Sequence, residues 1–217
     1  MKIDLSRAGK RFNREWVFRN TSINFTSNKK YAITGINGSG KSTLLQCIGN
    51  MIRLNEGTIS YSIASKTINP ESTSQYISFS APYLELIEEM TLSEFFLFHQ
   101  KFKPITGHRS LDDIIEEIQL SSSKHKQIRD FSSGMKQRVR LAQAIFSEVP
   151  IVLLDEPCSN LDQQGIELYK NLVMNYSNDR IIIISSNDQQ EYSFCDEVFS
   201  MNDFKSSLVR SFHHDNG

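Results

Sequence analysis

The segment Gly35-Ile36-Asn37-Gly38-Ser39-Gly40-Lys41-Ser42 constrains this chain more than any other feature. It matches the pattern G-x-x-x-x-G-K-S/T, with a strand-like run, Lys30 to Thr34, before it and a helix expected from Lys41 to about Met51 after it. Glycines at 35, 38 and 40 let the backbone curl until successive N–H groups, those of Asn37 and Ser39 included, point inward at the positive end of the following helix. That cradle suits phosphate oxygens. Lys41 is placed to bridge the β and γ phosphates of a nucleotide, Ser42 to offer its hydroxyl to Mg²⁺, and Thr43 to reach the α-phosphate.

A second element fits the same site. Ile151-Val152-Leu153-Leu154 runs into Asp155-Glu156, as expected of a buried parallel strand whose carboxyl end opens on a ligand crevice. Alone, four aliphatic residues and two carboxylates describe a core strand ending in a solvated turn. Coming 113 residues after Ser42, they read as the other half of the phosphate site, with Asp155 for Mg²⁺ and Glu156 to activate or orient a water.

Further strands are expected at Lys2 to Leu5, Trp16 to Phe25, Gly57 to Ile63, Gln75 to Phe79, Arg180 to Ser185 and Glu197 to Met201. Between about 83 and 130 the pattern turns helical. Thr91-x-x-Glu94 and Ser110-x-x-Asp113 are capping boxes, and Leu111, Ile114, Ile115 and Ile118 make one apolar helix face. The chain therefore reads as α/β: a mostly parallel sheet, an antiparallel appendage near the N-terminus and a helical insert at about 83–130. With 217 residues, it is expected to form a single domain over 1–210 and a short tail at 211–217.

Composition narrows the class. A formal net charge of -1 removes any overall electrostatic footprint for nucleic acid, and the longest aliphatic run, Ile181 to Ile184, is far too short to span a bilayer. Cys47, Cys158 and Cys195 have neither metal-ligand nor disulfide spacing, and the start MKIDLSRAGK lacks an apolar signal region. A cytosolic protein with buried thiols is expected, and any membrane role must come through a partner.

Phe131-Ser132-Ser133-Gly134-Met135-Lys136-Gln137-Arg138 resembles the signature segment of ABC-type ATPases, usually LSGGQ followed by glutamine and arginine. Cys158-Ser159-Asn160-Leu161-Asp162 resembles that family's D-loop, and Lys10-Arg11-Phe12 its adenine-stacking segment, with Phe12 as the ring. The resemblance spans about residues 1 to 210 and implies a P-loop ATPase fold. It further implies ATP and Mg²⁺ as ligands and head-to-tail association with a second copy. In that arrangement each ATP lies between one P-loop and the partner copy's signature. Ser132 would supply a hydroxyl, Ser133 and Gly134 backbone donors, and Asp162 would stand nearby. On the following helix Met135, Val139, Ala142, Ile145 and Phe146 are expected inward, and Lys136, Arg138 and Arg140 form a solvated face.

Three departures from the family pattern stand out. The signature reads SSGM rather than SGGQ. The position of the family's switch histidine is taken by Asn187, which can donate to a γ-phosphate but cannot carry an extra proton. The metal-touching glutamine is missing after Ile77 to Pro82. Tyr83 to Ile87 reads equally as a docking surface for a membrane partner or as subdomain core.

The resemblance implies an ATP-hydrolysing subunit that powers a separate membrane permease from the cytoplasmic face. Catalytic work would fall to Glu156, Lys41 and Asn187. The competing readings are a nucleotide-gated regulatory module with little hydrolysis, and a small-molecule kinase sharing only the P-loop.

Overall fold

The computed structural model describes residues 1–204; the expected tail at 211–217 and the end of the expected domain lie outside the described residues. The chain runs β1 (Lys2–Phe12), β2 (Glu15–Thr26), β3 (Lys29–Thr34), α1 (Lys41–Ile48), β4 (Glu56–Ile63), β5 (Lys66–Thr67) and β6 (Ile77–Ser80). It continues through α2 (Leu92–His99), α3 (Leu111–Glu117), α4 (Ser133–Ile145), β7 (Ile151–Asp155), α5 (Gln163–Asn175), β8 (Ile181–Ser185), α6 (Gln189–Tyr192) and β9 (Glu197–Ser200).

Two sheets result. One is parallel throughout, in the order β6-β7-β8-β3-β9; the other is antiparallel, in the order β2-β1-β4-β5. Strands β7 and β8 are buried at every position, and their aliphatic residues alternate between two cores. Ile151, Leu153, Ile181 and Ile183 pack with α1 and the antiparallel sheet, whereas Val152, Leu154, Ile182 and Ile184 pack with α4, α5 and the insert. A strand covered on both faces has no room for polar residues until its end, which is why Asp155 and Ser185 come last.

Register then sets the position of the site. Ile33 pairs with Ser185 and Asp155 pairs with Ser185, so the carboxyl ends of β3, β7 and β8 emerge side by side. The glycine-rich loop, the Asp155-Glu156 pair and the segment carrying Asn187 all leave the sheet at that edge.

The insert forms as its caps predict. Thr91 Oγ1 accepts from the Glu94 N–H while Glu94 Oε2 accepts from the Thr91 N–H at 2.8 Å, and Ser110 and Asp113 repeat the arrangement. Ile114, Ile115 and Ile118 are buried, with Leu111 packed against the same core.

Several boundaries differ from expectation. Strand β1 continues to Phe12 through irregular pairing, so the polar run from Ser6 onward is strand despite lacking strict alternation. Glu56–Ile63 joins the antiparallel sheet as β4, beside β1. Helix α1 stops at Ile48 because Gly49 caps it and Asn50 turns left-handed at φ 55°. The basic residues of α4 are not merely solvated. Lys136 pairs with Glu88 at 2.6 Å, Arg140 Nε donates to the Leu84 carbonyl at 2.7 Å, and Arg138 reaches Gln119, which together tie the insert to α4.

Candidate functional site

The glycine-rich loop is held open by backbone geometry. Gly38 and Gly40 lie at φ 75° and 105°, and a Cβ on Gly40 would stand 2.1 Å from Val17 Cγ1, so side chains are excluded there. Gly40 caps α1 directly, which leaves the first N–H groups of the helix, including those of Lys41, Ser42 and Thr43, without side-chain partners. Lys41 is buried, and its ammonium donates to the Gly35 carbonyl at 3.0 Å, so the charge lies within the curl of the loop.

Asp155 is 1% exposed at the end of β7. Glu156, the next residue, adopts φ 44°, a left-handed turn uncommon for a side-chain-bearing residue; its N–H donates to the Ser185 carbonyl at 2.8 Å. Such a conformation costs about 1–2 kcal/mol, and here it takes the second carboxylate out of the strand direction. Asn187 is exposed, and its amide donates to Asn37 Oδ1 of the glycine-rich loop at 3.0 Å.

Buried polar atoms without partners are few in folded proteins, and here they cluster. Of six such atoms among the described residues, four lie here: Ser80 Oγ, Asp155 Oδ1 and Ser185 Oγ, whose residues end β6, β7 and β8 in turn, and Ser39 Oγ inside the loop; Thr21 Oγ1 and Glu191 Oε2 lie elsewhere. Unspent oxygens along one edge, beside a lysine-bearing cradle, suit a hydrated cation and an anion together. The donor set fits Mg²⁺, which takes one or two protein oxygens and completes its shell with water and phosphate: Asp155 and the half-buried Ser42 would hold it.

Sequence reasoning missed one group at this edge. Tyr83 places its hydroxyl 3.1 Å from Asp155 Oδ2 and receives a hydrogen bond from Gln46 Nε2 at 2.9 Å. Partial burial, with Asp155 beside it, pushes the phenol up to about 12, so it remains a donor at neutral pH. A contact across 72 residues leaves no local pattern to find.

Beside the glycine-rich loop lies a cleft lined by Phe12, Asn13, Arg14, Glu15, Trp16, Val17, Gly38 and Ser39, with a volume of about 630 Å³. Phe12, expected to stack the base, is 52% exposed at this cleft, with the Lys10 ammonium 5.0 Å from its ring centre. Trp16, unanticipated, shares the cleft with its ring flanked by the guanidinium groups of Arg11 and Arg19.

Ser132, Ser133 and Gly134 stand elsewhere. Ser132 caps α4, its Oγ accepting from the Met135 N–H at 3.2 Å, and both serines are exposed. They line a second open cleft of about 440 Å³ with Gln119, Asn160 and Asp162. Gly134 packs tightly here, since a Cβ on it would lie 3.0 Å from the Asn160 carbonyl, while Gln137 Nε2 reaches the Pro157 carbonyl at 2.8 Å and ties α4 to the D-loop-like turn. Asp162 caps α5 and lies 3.7 Å from Arg138. The two clefts share no lining residue.

Thus Gly35, Asn37, Gly38, Ser39, Gly40, Lys41, Ser42, Thr43, Asp155, Glu156 and Asn187 come together at one sheet edge. Ser132, Ser133, Gly134 and Asp162 form a separate group. The three thiols are free, and burial pushes Cys47 and Cys195 up to about 12. Among the described residues no helix is long and apolar enough to cross a membrane.

A doubly covered parallel sheet with a lysine-bearing phosphate cradle and a paired carboxylate at its carboxyl edge defines a P-loop nucleotide-binding ATPase. Residues 18–159 match the family model described as ABC transporter, and the chain belongs to that family. It is 31% identical over 208 residues to the ABC transporter ATP-binding protein YybJ of Bacillus subtilis (strain 168), covering 92% of each chain. Among solved structures, an ATP-binding subunit of an ABC transporter superposes with a TM-score of 0.78 at 20% identity, covering 100% of this chain and 95% of the other. The dimeric ATP-binding cassette MJ0796, bound to ADP and Pi in a post-hydrolysis state, superposes with a TM-score of 0.77 at 22% identity, covering 91% and 93%.

Proposed function

We propose that the chain is the ATP-hydrolysing subunit of a membrane transporter, and that two copies close head to tail on two ATP molecules. One observation carries this reading. The exposed N-terminus of α4, with Ser132 and Ser133, lines a cleft that contains no residue of the glycine-rich loop, so each cleft offers half of a phosphate-binding shell. A second copy turned end to end brings the halves together, and helix N-terminus then faces helix N-terminus across the γ-phosphate. The cassette MJ0796, whose fold this chain shares, is itself dimeric with ADP and Pi.

Within that shell Lys41 and the loop N–H groups hold the phosphates, and Phe12 stacks the base. Ser42 and Asp155 would hold Mg²⁺, which would supply positive charge to the phosphate oxygens. Glu156, turned out of the strand, orients the attacking water and takes its proton. Asn187, held next to Asn37, donates to the γ-phosphate without titrating. That substitution also favours a second reading, a nucleotide-gated module that turns over slowly.

The permease contact falls on the insert. Exposed Phe98, Phe102 and Ile87 border a groove of about 370 Å³ that also includes Glu85, His99 and Gln143, an apolar surface suited to the apolar face of a short partner helix. Within the segment from 83 to 87 Leu86 is buried in the core, whereas Tyr83 and Ile87 are 51% and 38% exposed, which supports the docking reading for the exposed positions. Through that contact the chain would sit on the cytoplasmic face of a membrane, bound to neither nucleic acid nor lipid directly.

The test is steady-state ATP hydrolysis by the purified protein and by Glu156→Gln. Turnover should fall at least ~100-fold, the lower end of what a positioned acid–base group contributes, with ATP affinity retained. A native protein no faster than the variant refutes hydrolysis and leaves the gated module.

A further inference from the structure

We propose that Tyr83 is the positioning residue for the metal-holding carboxylate of Asp155, supplying through a phenol hydroxyl the contact that no glutamine in this part of the chain can make. The proposal rests on the reading above that Asp155 holds Mg²⁺.

The hydrogen-bond directions follow from the groups themselves. Gln46 Nε2 can only donate, and it donates to the phenol oxygen at 2.9 Å. A carboxylate can only accept, so at 3.1 Å the phenol proton goes to Asp155 Oδ2. One carboxylate oxygen is thereby committed. The other, Oδ1, is buried and has no partner among the described residues, which makes it the acceptor left for a cation or its water. Fixing Oδ2 stops the carboxylate from rotating, and the unspent lone pairs of Oδ1 keep one direction.

Helix periodicity brings the metal hydroxyl to the same place. Gln46 follows Ser42 by four residues on α1, so both occupy one helix face, a turn apart. The hydrogen bonds from Gln46 to Tyr83, on the turn after β6, and from Tyr83 to Asp155 link the helix face that carries Ser42 to the end of β7, and a cation held between Ser42 and Asp155 would close them into a ring. The same turn ties this ring to the docking groove. The Leu84 carbonyl accepts from Arg140 Nε at 2.7 Å, and Glu85 and Ile87 line the groove. A carboxylate held by a residue at the root of that segment shares its position with whatever moves the segment.

Outer partners of metal ligands typically change metal affinity 10- to 100-fold when removed. Tyr83→Phe keeps the half-exposed ring and deletes only the hydroxyl. In the full chain, its ADP affinity measured by calorimetry in EDTA should stay within about twofold of wild type. The affinity of the ADP complex for Mn²⁺, read from the free-ion spin-resonance signal, should drop about tenfold. Gln46→Leu, which removes the donor that orients the hydroxyl, should shift Mn²⁺ affinity in the same direction by less. Asp155→Asn in the same assay separates the two layers of the reasoning. If Asp155→Asn lowers Mn²⁺ affinity and Tyr83→Phe leaves it within twofold, the role of Tyr83 is overturned alone. Should Asp155→Asn also leave it unchanged, the metal reading of Asp155 falls and takes this proposal with it. Equal weakening of ADP by Tyr83→Phe in EDTA and in Mg²⁺ would mark a structural bridge and also overturn the proposal.

Discussion

Gly40 and Gly38 allow the construction of the phosphate cradle to be measured. Both have left-handed backbone, at φ 105° and 75°, yet their surroundings differ. A Cβ on Gly38 meets nothing within 4 Å, whereas one on Gly40 would lie 2.1 Å from Val17 Cγ1 and 3.2 Å from Met201 Cε. Gly38→Ala therefore carries only the backbone penalty, about 1–2 kcal/mol. Gly40→Ala adds an overpacking cost of about 1–3 kcal/mol. At ~2–4 °C per kcal/mol for a chain of this size, melting temperatures should fall by roughly 2–8 °C for Gly38→Ala and roughly 4–20 °C for Gly40→Ala. Val17→Ala removes the clashing methyl, so the double variant Val17→Ala/Gly40→Ala should recover about 1–2 kcal/mol relative to the sum of the single changes. Denaturant unfolding of all four proteins supplies the cycle, and ADP affinity should fall in the same order as stability. The reasoning is refuted if Gly40→Ala is no worse than Gly38→Ala, or if the cycle shows no coupling. Either result would mean that the antiparallel sheet does not brace the loop through Val17.

Two other perturbations probe the periphery of the site. Asn187→His should raise turnover, toward the ~100-fold that a positioned acid–base group contributes, and an unchanged rate in a coupled ATPase assay would remove Asn187 from the switch position. His99, hydrogen-bonded to Ser147 and Gln143 in the groove that Phe98 and Phe102 line, is lowered to about 4 by burial and by Lys103. Its folded pKa lies below the ordinary 6.5, so the unfolded chain binds more protons between those values; the stability it contributes is complete above pH 6.5 and is lost as pH falls toward 4. His99→Gln should flatten that slope, seen as a smaller drop in the urea midpoint between pH 7.5 and pH 5.

What the sequence disclosed and what it concealed divide along chain distance. The loop from Gly35 to Ser42 was legible because its meaning is local: glycines, a lysine and a hydroxyl in one turn, between a strand and a helix. Asp155-Glu156 was legible because a run of aliphatics must end where water begins. Ser132 was readable as a cap, and the exposure of Ser133 agrees with a surface role. Tyr83 was not readable, since its meaning depends on Asp155 and Gln46, distant in sequence and joined only by the sheet order. Trp16 was hidden for the same reason, its ring reaching the cleft only when β1 runs on to Phe12 and turns into β2. The pairing of Lys136, Arg138 and Arg140 leaves no mark in the sequence because Glu88, Gln119 and the Leu84 carbonyl belong to the insert, and charge on a helix face reads as solvated until a neighbour is in place. Helix α1 ran short of expectation because Gly49 and Asn50 form a stop signal that the apolar period overran.

The central claim is that an ATP is enclosed by the glycine-rich loop of one copy and the serine-capped helix of another. Sedimentation velocity with Mg-ATP, in a Glu156→Gln background that retains the nucleotide, tests it most directly. The parent should sediment as a dimer, and adding Ser132→Arg, a bulky charge at an exposed cap outside the nucleotide cleft, should leave ATP binding intact and the protein monomeric. A Ser132→Arg dimer as tight as the parent's would contradict the shared site.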